Sequence, residues 1–352
     1  MRSVTLKDLA AELGLSITTV SRALAGYGDV AETTRSRVLD AAEEMGSFPD
    51  VTARRLQKGQ TDTIGFVIPT SGPRFSDPFF SELLAGIGNE AARHNFDLLV
   101  STRPPDTVEE QAAYRRMAEG RLVDGLLVVR TRVRDWRIDY LSRTAFPFVS
   151  FGRSDLEADF PYVDEDGFHG FKLVIEHLIG LGHQRIACIS APPDLMFSFS
   201  RAEGLAATLK HHGLALPPEY LLTGNLTQQS GFEAMNQLLD LPLPPTAVTS
   251  SNDLMALGAI SAAQRRGLVV GQDIAITGFD DIPLAEHSHP SLTTVRQPVY
   301  DIGRQICQML IQMILGEELP ARQVLLQPKL IVRESSGQSR HALANASLRE
   351  RR

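Results

Sequence analysis

The stretch TLKDLAAELGLSITTVSRALAG, residues 5–26, decides how the fold begins. Leu6, Leu9, Ala10 and Leu13 recur at helical spacing and predict the apolar face of a first helix, which Gly14 ends as a left-handed terminator. Ser16 stands where a side-chain oxygen accepts from the backbone N–H of Thr19 and starts a second helix. Leu15 before that cap and Val20 after it match a hydrophobic staple. With Val20, Ala23 and Leu24 turned inward, Ile17, Thr18, Ser21 and Arg22 point outward from the start of the second helix. That is the end a helix-turn-helix presents to base edges. A third helix from about Glu32 to Met45 buries Val38, Ala42 and Met45 and stops at Gly46. Three such helices form a unit of about fifty residues, too small for an ordinary enzyme core. Geometry alone also admits a helical hairpin used for packing or dimerisation.

The order of the residues decides between these. VTLKDLAAELGLSITTVSRALAG, residues 4–26, closely resembles the start of the lactose repressor/galactose repressor family, whose pattern is V-T-x-x-D-[VL]-A-x-x-[AL]-G-[VL]-S-x-x-T-V-S-R. Nearly every fixed position is met, and the resemblance extends over almost the whole chain. It implies a helix-turn-helix DNA-binding domain over residues 1–47, with Thr5, Ser16, Ile17, Thr18, Thr19, Ser21, Arg22 and Arg35 at the DNA. Residues 48–61 would be a hinge. Pro49 stops the preceding helix, and Asp50 to Leu56 can make two helical turns, with Arg54, Arg55 and Lys58 placed to meet phosphates. The family's hinge helix pairs with its dimer mate in the minor groove, and Leu56 matches the leucine that wedges between base steps.

Three residues depart from the family: Ala31 lacks the usual capping hydroxyl, Ser47 replaces a tyrosine, and Asp50 puts an acid near phosphates. Acidic and basic side chains also balance over residues 1–60, so specific binding rests on the placement of a few arginines and non-specific affinity is expected to be modest.

At 352 residues and 43% hydrophobic content the chain has material for more than one core, and its formal charge of −7 does not point to a nucleic-acid partner. No apolar run is long enough to cross a bilayer and no charged leader precedes an apolar stretch, so the expectation is a cytoplasmic protein with no membrane partner. Cys188 and Cys307 lack metal spacing and read as small core residues.

From Ile64 onward, strand-length apolar runs alternate with helical patterns: IGFVI, FDLLVS, GLLVV, FPFVSF, RIACIS, AVTSS and IAITGF, with helices such as Phe79 to His94 and Gly170 to Gly180 between them. This rhythm predicts α/β architecture with parallel sheets. The resemblance implies a periplasmic-binding-protein-like, two-lobed effector-binding and dimerisation domain over 62–337. Its first lobe would hold 62–162 and 291–326, its second 163–290 and 327–337, with crossings near Val163, Ser291 and Gln327 and a polar tail at 338–352.

Ligands of such folds lie beyond the carboxyl ends of the strands. Phe79 and Phe80 after the first strand suit stacking on a sugar ring, with Asp77 nearby, although phenylalanines at a helix start are as often core. Arg201, Asn252 and Asp280 match family positions that hydrogen-bond ligand hydroxyls, Gln297 matches the cleft floor, and Tyr162, Phe197 and Leu226 match its walls. Asp253 reads as the N-cap of the helix that follows it.

No Walker, HExxH or GxSxG motif occurs, and GIGNEA lacks both the third glycine and the preceding strand of a dinucleotide loop. His183 reads as a turn-packing residue, and the pairs His211/His212 and His287/His289 as solvated surface. No cofactor, metal or catalytic residue is implied. The tail lacks a leucine heptad, so a homodimer is expected.

Together these features imply a repressor of sugar-utilisation genes, released from a pseudo-palindromic operator in double-stranded DNA by a small sugar. A purine- or phosphosugar-responsive corepressed regulator is the nearest competitor. A sugar-binding transport receptor would need a secretion signal and leaves the first sixty residues idle, and an enzyme would need an acid/base or nucleophile pair that is not evident.

Overall fold

The computed structural model describes residues 4–24, 27–45, 60–70 and 77–337. Ser47, Asp50, Arg54, Arg55, Leu56 and Lys58, on which the expected hinge rests, lie outside the described residues, as does the polar tail. The chain divides between Asp62 and Thr63 into two compact units.

The first unit holds α1 (Leu6–Leu13), α2 (Ile17–Leu24) and α3 (Glu32–Glu44). Thr5 and Asp8 close a capping box at the start of α1, and Gly14 ends it at φ 65°. Ser16 Oγ accepts from Thr19 N at 3.0 Å and starts α2. Leu9, Ala10, Val20, Ala23, Val38 and Ala42 form the core, with Leu13, Leu15, Leu24 and Met45 packed at its edge. Leu6, expected on the buried face, is 37% exposed, because the helix is only two turns long and its first residue overhangs the core. At α3 the Ala31 carbonyl accepts from Thr34 and Arg35, and Ala31 has no side-chain oxygen with which to cap the turn.

The second unit opens with β1 (Thr63–Pro69), α4 (Pro78–Arg93), β2 (Asp97–Arg103), α5 (Val108–Ala118), β3 (Gly125–Val129), α6 (Trp136–Arg143), β4 (Phe148–Phe151) and β5 (Tyr162–Glu165). The second lobe follows with α7 (Gly167–Gly180), β6 (Ile186–Ser190), α8 (Met196–His211), β7 (Leu221–Thr223), α9 (Gln228–Leu239), β8 (Ala247–Ser250), α10 (Asp253–Arg265), β9 (Ala275–Thr277) and α11 (Pro283–His287). The chain then adds β10 (Thr294–Arg296), α12 (Val299–Ile314), β11 (Gln323–Leu326) and β12 (Lys329–Ile331).

Two parallel sheets result, one in the order β11-β5-β4-β3-β1-β2 and one in the order β7-β6-β8-β9. β10 and β12 pair antiparallel beside the second. Strands such as GLLVV are buried on both faces because helices cover both, which is why they read as continuous apolar runs. Against the first sheet, α4 packs on α12 so closely that a Cβ at Gly86 would collide with the Tyr300 carbonyl.

The lobe crossings differ from expectation at two points. Val163 lies within β5, buried in the first lobe's core, so the first crossing follows Glu165. Leu292 and Val295 are buried in the second lobe, so the return falls at Gln297 and Pro298 rather than at Ser291. The third crossing lies between β11 and β12, at Gln327 and Pro328. Near the ends of β3 and β6 the two lobes are also tied directly, through Val133 N to Asp194 O at 2.8 Å and Met196 N to Thr131 O at 2.9 Å. Among the described residues no helix is long and apolar enough to cross a membrane.

Candidate functional site

The first unit presents its candidate DNA-reading face on α2. Ile17 is 48% exposed, Thr18 is exposed, and Thr19, Ser21 and Arg22 are half-buried. Arg22 is not free: Nη2 meets Asp29 Oδ2 at 2.5 Å, Nε reaches Asp29 Oδ1 at 3.4 Å, and the guanidinium sits 4.6 Å from the Tyr27 ring centroid. Thr5 and Ser16 both spend a side-chain oxygen on helix caps. Arg35 bonds the Tyr27 carbonyl at 2.8 Å and pairs with Glu32, which ties α3 to the turn after α2.

In the second unit a cavity lies between the carboxyl ends of the two sheets, as the strand-end rule requires. Of the expected residues, Phe79, Phe197, Arg201, Leu226, Asn252, Asp280 and Gln297 line it. Arg201 is 4% exposed; it donates to Glu165 Oε1 at 2.7 Å and to the Ser251 carbonyl at 2.6 Å. Its guanidinium lies 3.6 Å from the Phe279 centroid and 4.6 Å from that of Phe197, so its plane is fixed by stacking as well as by bonds. Gln297 Nε2 donates to Asp280 Oδ1 at 2.5 Å. Phe79 stacks on Phe151 at 5.9 Å.

The structure corrects two expectations, at Tyr162 and at Asp253. Tyr162 begins β5 and packs beside Phe160 and Phe148, at the amino end of the strand and away from the cavity. Asp77 and Phe80 line the adjoining pocket rather than the inner cavity: Asp77 caps α4 through Phe79 N and pairs with Arg130 at 2.7 Å, and Phe80 lies under that same arginine. Asn252, not Asp253, is the N-cap of α10, accepting from Met255 N at 3.0 Å while its amide donates to the Leu226 carbonyl. Asp253 is fully buried, bonded by Thr294 Oγ1 and Ile282 N.

The sequence reading missed Arg130, Thr131, Phe151, Arg153, Asp164, Glu165, Met196 and Ser251. Arg130 follows GLLVV and Arg153 follows FPFVSF, so the strand-end rule applied to every run would have found both. Asp164 and Glu165 sit on β5, too short and polar to be read as a strand.

Burial dominates the electrostatics. It raises Glu165 and Asp164 above the usual carboxylate range, against the opposing pull of Arg201 and Arg153 respectively. It pushes Asp280 up to about 7 and raises Asp253 well above its ordinary value, with the charge of Asp280 adding to the latter. Asp280 also holds a φ of 117°, a conformation that L-residues rarely adopt, on the cavity wall.

The three arginines on the cavity wall are each paired with a carboxylate: Arg130 with Asp77, Arg153 with Asp164, Arg201 with Glu165. Glu165 Oε2, Arg201 Nε and Gln297 Oε1 are buried without a protein partner. The cavity wall thus carries balanced charges, and on its lining residues one donor and two acceptors of hydrogen bonds lack a protein partner. Among the described residues no cluster of three His, Cys, Asp or Glu side chains is placed to hold a metal. Both cysteines are buried, with burial pushing each thiol up to about 12.

A helix-turn-helix unit followed by a two-sheet, cleft-bearing domain defines a class of bacterial transcription regulator. Comparison with known proteins agrees. Residues 5–50 match the model of bacterial regulatory proteins of the lacI family, and residues 175–336 match the periplasmic binding protein-like domain. The HTH-type transcriptional regulator AglR of Rhizobium meliloti (strain 1021) is 40% identical over 95% of this chain and 94% of its own length. A lac repressor dimer bound to operator and the anti-inducer ONPF superposes with a TM-score of 0.84 at 28% identity, covering 96% of this chain and all of that one. A CelR–cellobiose complex superposes with a TM-score of 0.73 at 31% identity over 94% of this chain and 99% of that one. The chain belongs to the LacI family and is a DNA-binding transcriptional regulator, not an enzyme.

Proposed function

We propose that the protein is a homodimeric repressor of sugar-utilisation genes, whose hold on a pseudo-palindromic operator is released by a small neutral sugar in the cleft. The observation that carries the choice of ligand is the pairing of Arg130, Arg153 and Arg201 with Asp77, Asp164 and Glu165. A phosphate needs an uncompensated guanidinium, whereas a polyhydroxylated ring is served by the unpartnered atoms of Glu165, Arg201 and Gln297. Relatives point the same way, since CelR was solved with cellobiose and another family member with ribose. Two α2 helices of a dimer would enter successive major grooves, with Ile17, Thr18, Ser21 and Arg22 at base edges and the 48–61 hinges between them. Release requires that the sugar prefer the low-affinity state, because equal binding to both shifts nothing.

The test is a thermal-shift screen of neutral sugars, phosphosugars and nucleosides on the full chain, followed by operator anisotropy with each hit. A neutral sugar should bind and weaken operator binding; a phosphosugar or purine that alone binds and strengthens it would overturn the reading. The stacked Phe79 and Phe151 rings also suit a nucleobase, which is why nucleosides belong in the screen.

A further inference from the structure

A second, outer chamber adjoins the cavity, and the two share Arg130 and Leu226 in their walls. The centre of a water molecule can range over about 50 Å³ in the inner cavity and about 620 Å³ in the outer chamber. At roughly 10–15 Å³ per water on this measure, the inner space holds only a few waters. A ligand anchored on Arg201 and Gln297 must therefore extend into the outer chamber, whose size falls within the range of about 300–1,000 Å³ typical of small-molecule sites.

Both lobes furnish that chamber with hydrogen-bonding groups. Asn225, Thr227 and Gln228 come from the start of α9, and Thr70 and Asp106 come from loops of the first lobe. Its charges are also compensated. Arg130 pairs with Asp77, Arg132 pairs with Asp106 at 3.1 Å and with Glu110 at 2.9 Å, and Asp194 adds a further carboxylate. Arg132 is 6% exposed and its Nη1 has no partner. A phosphate would meet more acid than base here, whereas the hydroxyls of a sugar ring are matched by the side chains of Asn225, Thr227 and Gln228.

We infer that the outer chamber is a second sugar subsite and that the effector is a neutral disaccharide or longer glycoside. One end bonds Arg201 and Gln297, the glycosidic linkage passes Arg130 and Leu226, and the second ring faces Asn225, Thr227 and Gln228. The inference rests on the neutral-sugar reading above.

Calorimetric titration of the full chain with glucose and galactose, with their methyl glycosides, and with maltose, trehalose, cellobiose, melibiose and lactose tests it. At least one disaccharide should bind about tenfold or more tightly than either constituent monosaccharide. Gln228 is exposed at the first turn of α9, so Gln228→Ala and the chamber-filling Gln228→Trp should both fold; each should weaken the disaccharide and leave monosaccharide binding unchanged. A monosaccharide that binds as tightly as every disaccharide, or a disaccharide preference that survives Gln228→Trp, would overturn the subsite while leaving the sugar reading intact. Failure of every sugar to bind would bring down both.

Discussion

Replacing Asp280 by asparagine isolates one buried charge in the cleft and gives a pH-dependent result. The carboxyl titrates near 7 in the folded protein, raised from 3.8 chiefly by burial. Between those values the folded state holds a proton that the unfolded state has lost, so stability is greatest on the acid side and falls as pH rises towards 7. From about pH 5.5 to about pH 8, one and a half pH units lie below the folded pKa, which sets a ceiling of about 2 kcal/mol. Asp280 opens onto the cavity and is only half-buried, so water there reduces the effect to about 1 kcal/mol. Asparagine keeps an acceptor for Gln297 Nε2 and tolerates the positive φ better than most residues, so the variant changes the charge with little change of shape. Differential scanning calorimetry should show the melting temperature of Asp280→Asn gaining on wild type by about 2–4 °C between the two pH values. Asp253 feels the charge of Asp280, so neutralising Asp280 also lessens the rise at Asp253, and the two effects act in the same direction. A difference constant with pH would refute the argument. A neutral sugar whose hydroxyls donate to the carboxylate should also bind more tightly above pH 7 than below it, and that dependence should vanish in the variant.

Arg22→Ala should cost about 1–3 kcal/mol on operator DNA and leave ligand affinity unchanged, measured by anisotropy and calorimetry on the same preparation; equal loss of both activities would contradict the division of labour. Asp29→Asn should change stability by less than about 1 kcal/mol, since the Arg22 pair is exposed, yet tighten binding to random duplex and steepen its salt dependence by about one charge. Operator-over-random discrimination should fall in that variant as the Arg22 guanidinium loses its fixed orientation. Gly258→Ala sets a Cβ against the Gln228 carbonyl where α9 and α10 touch; neither backbone can yield, so urea unfolding should register a loss near the upper end of about 1–3 kcal/mol.

What the sequence shows follows from how many residues share each signal. The opening helices are readable because cap, staple and terminator stand at fixed offsets within twenty residues, and the long strands because helices on both faces make every position apolar. The strands β5, β7, β10 and β12 have three or four residues each, too few for any period to emerge, and polar members such as Glu165 and Thr294 are bonded by partners distant in sequence. The lobe boundary went astray for this reason, since Val163 sits in a strand spelled YVDE. The error at Tyr162 has another origin: a wall position was carried over by resemblance, and only the strand direction shows that it faces the wrong end of the sheet. The pairing of each cleft arginine is equally invisible along the chain, because Arg201 and Glu165 are 36 residues apart and Arg130 and Asp77 are 53 apart.

The same pairings bear on how occupancy would couple to lobe movement under the proposed release mechanism. The backbone bonds Thr131 to Met196 and Val133 to Asp194 tie the lobes beside Arg130, Arg132 and Phe197, all of which line one chamber or the other. Each bond contributes about 1 kcal/mol net, so a ligand that widens the cleft must offset about 2 kcal/mol before it gains anything. A ring that only fills space cannot do so. One that also satisfies Glu165 Oε2, Arg201 Nε, Gln297 Oε1 and Arg132 Nη1 can, because those groups already bear the cost of burial without a partner. Under that mechanism discrimination between sugars would be linked to the lobe displacement itself, since the contacts that distinguish one sugar from another would be the ones that offset separation of the lobes.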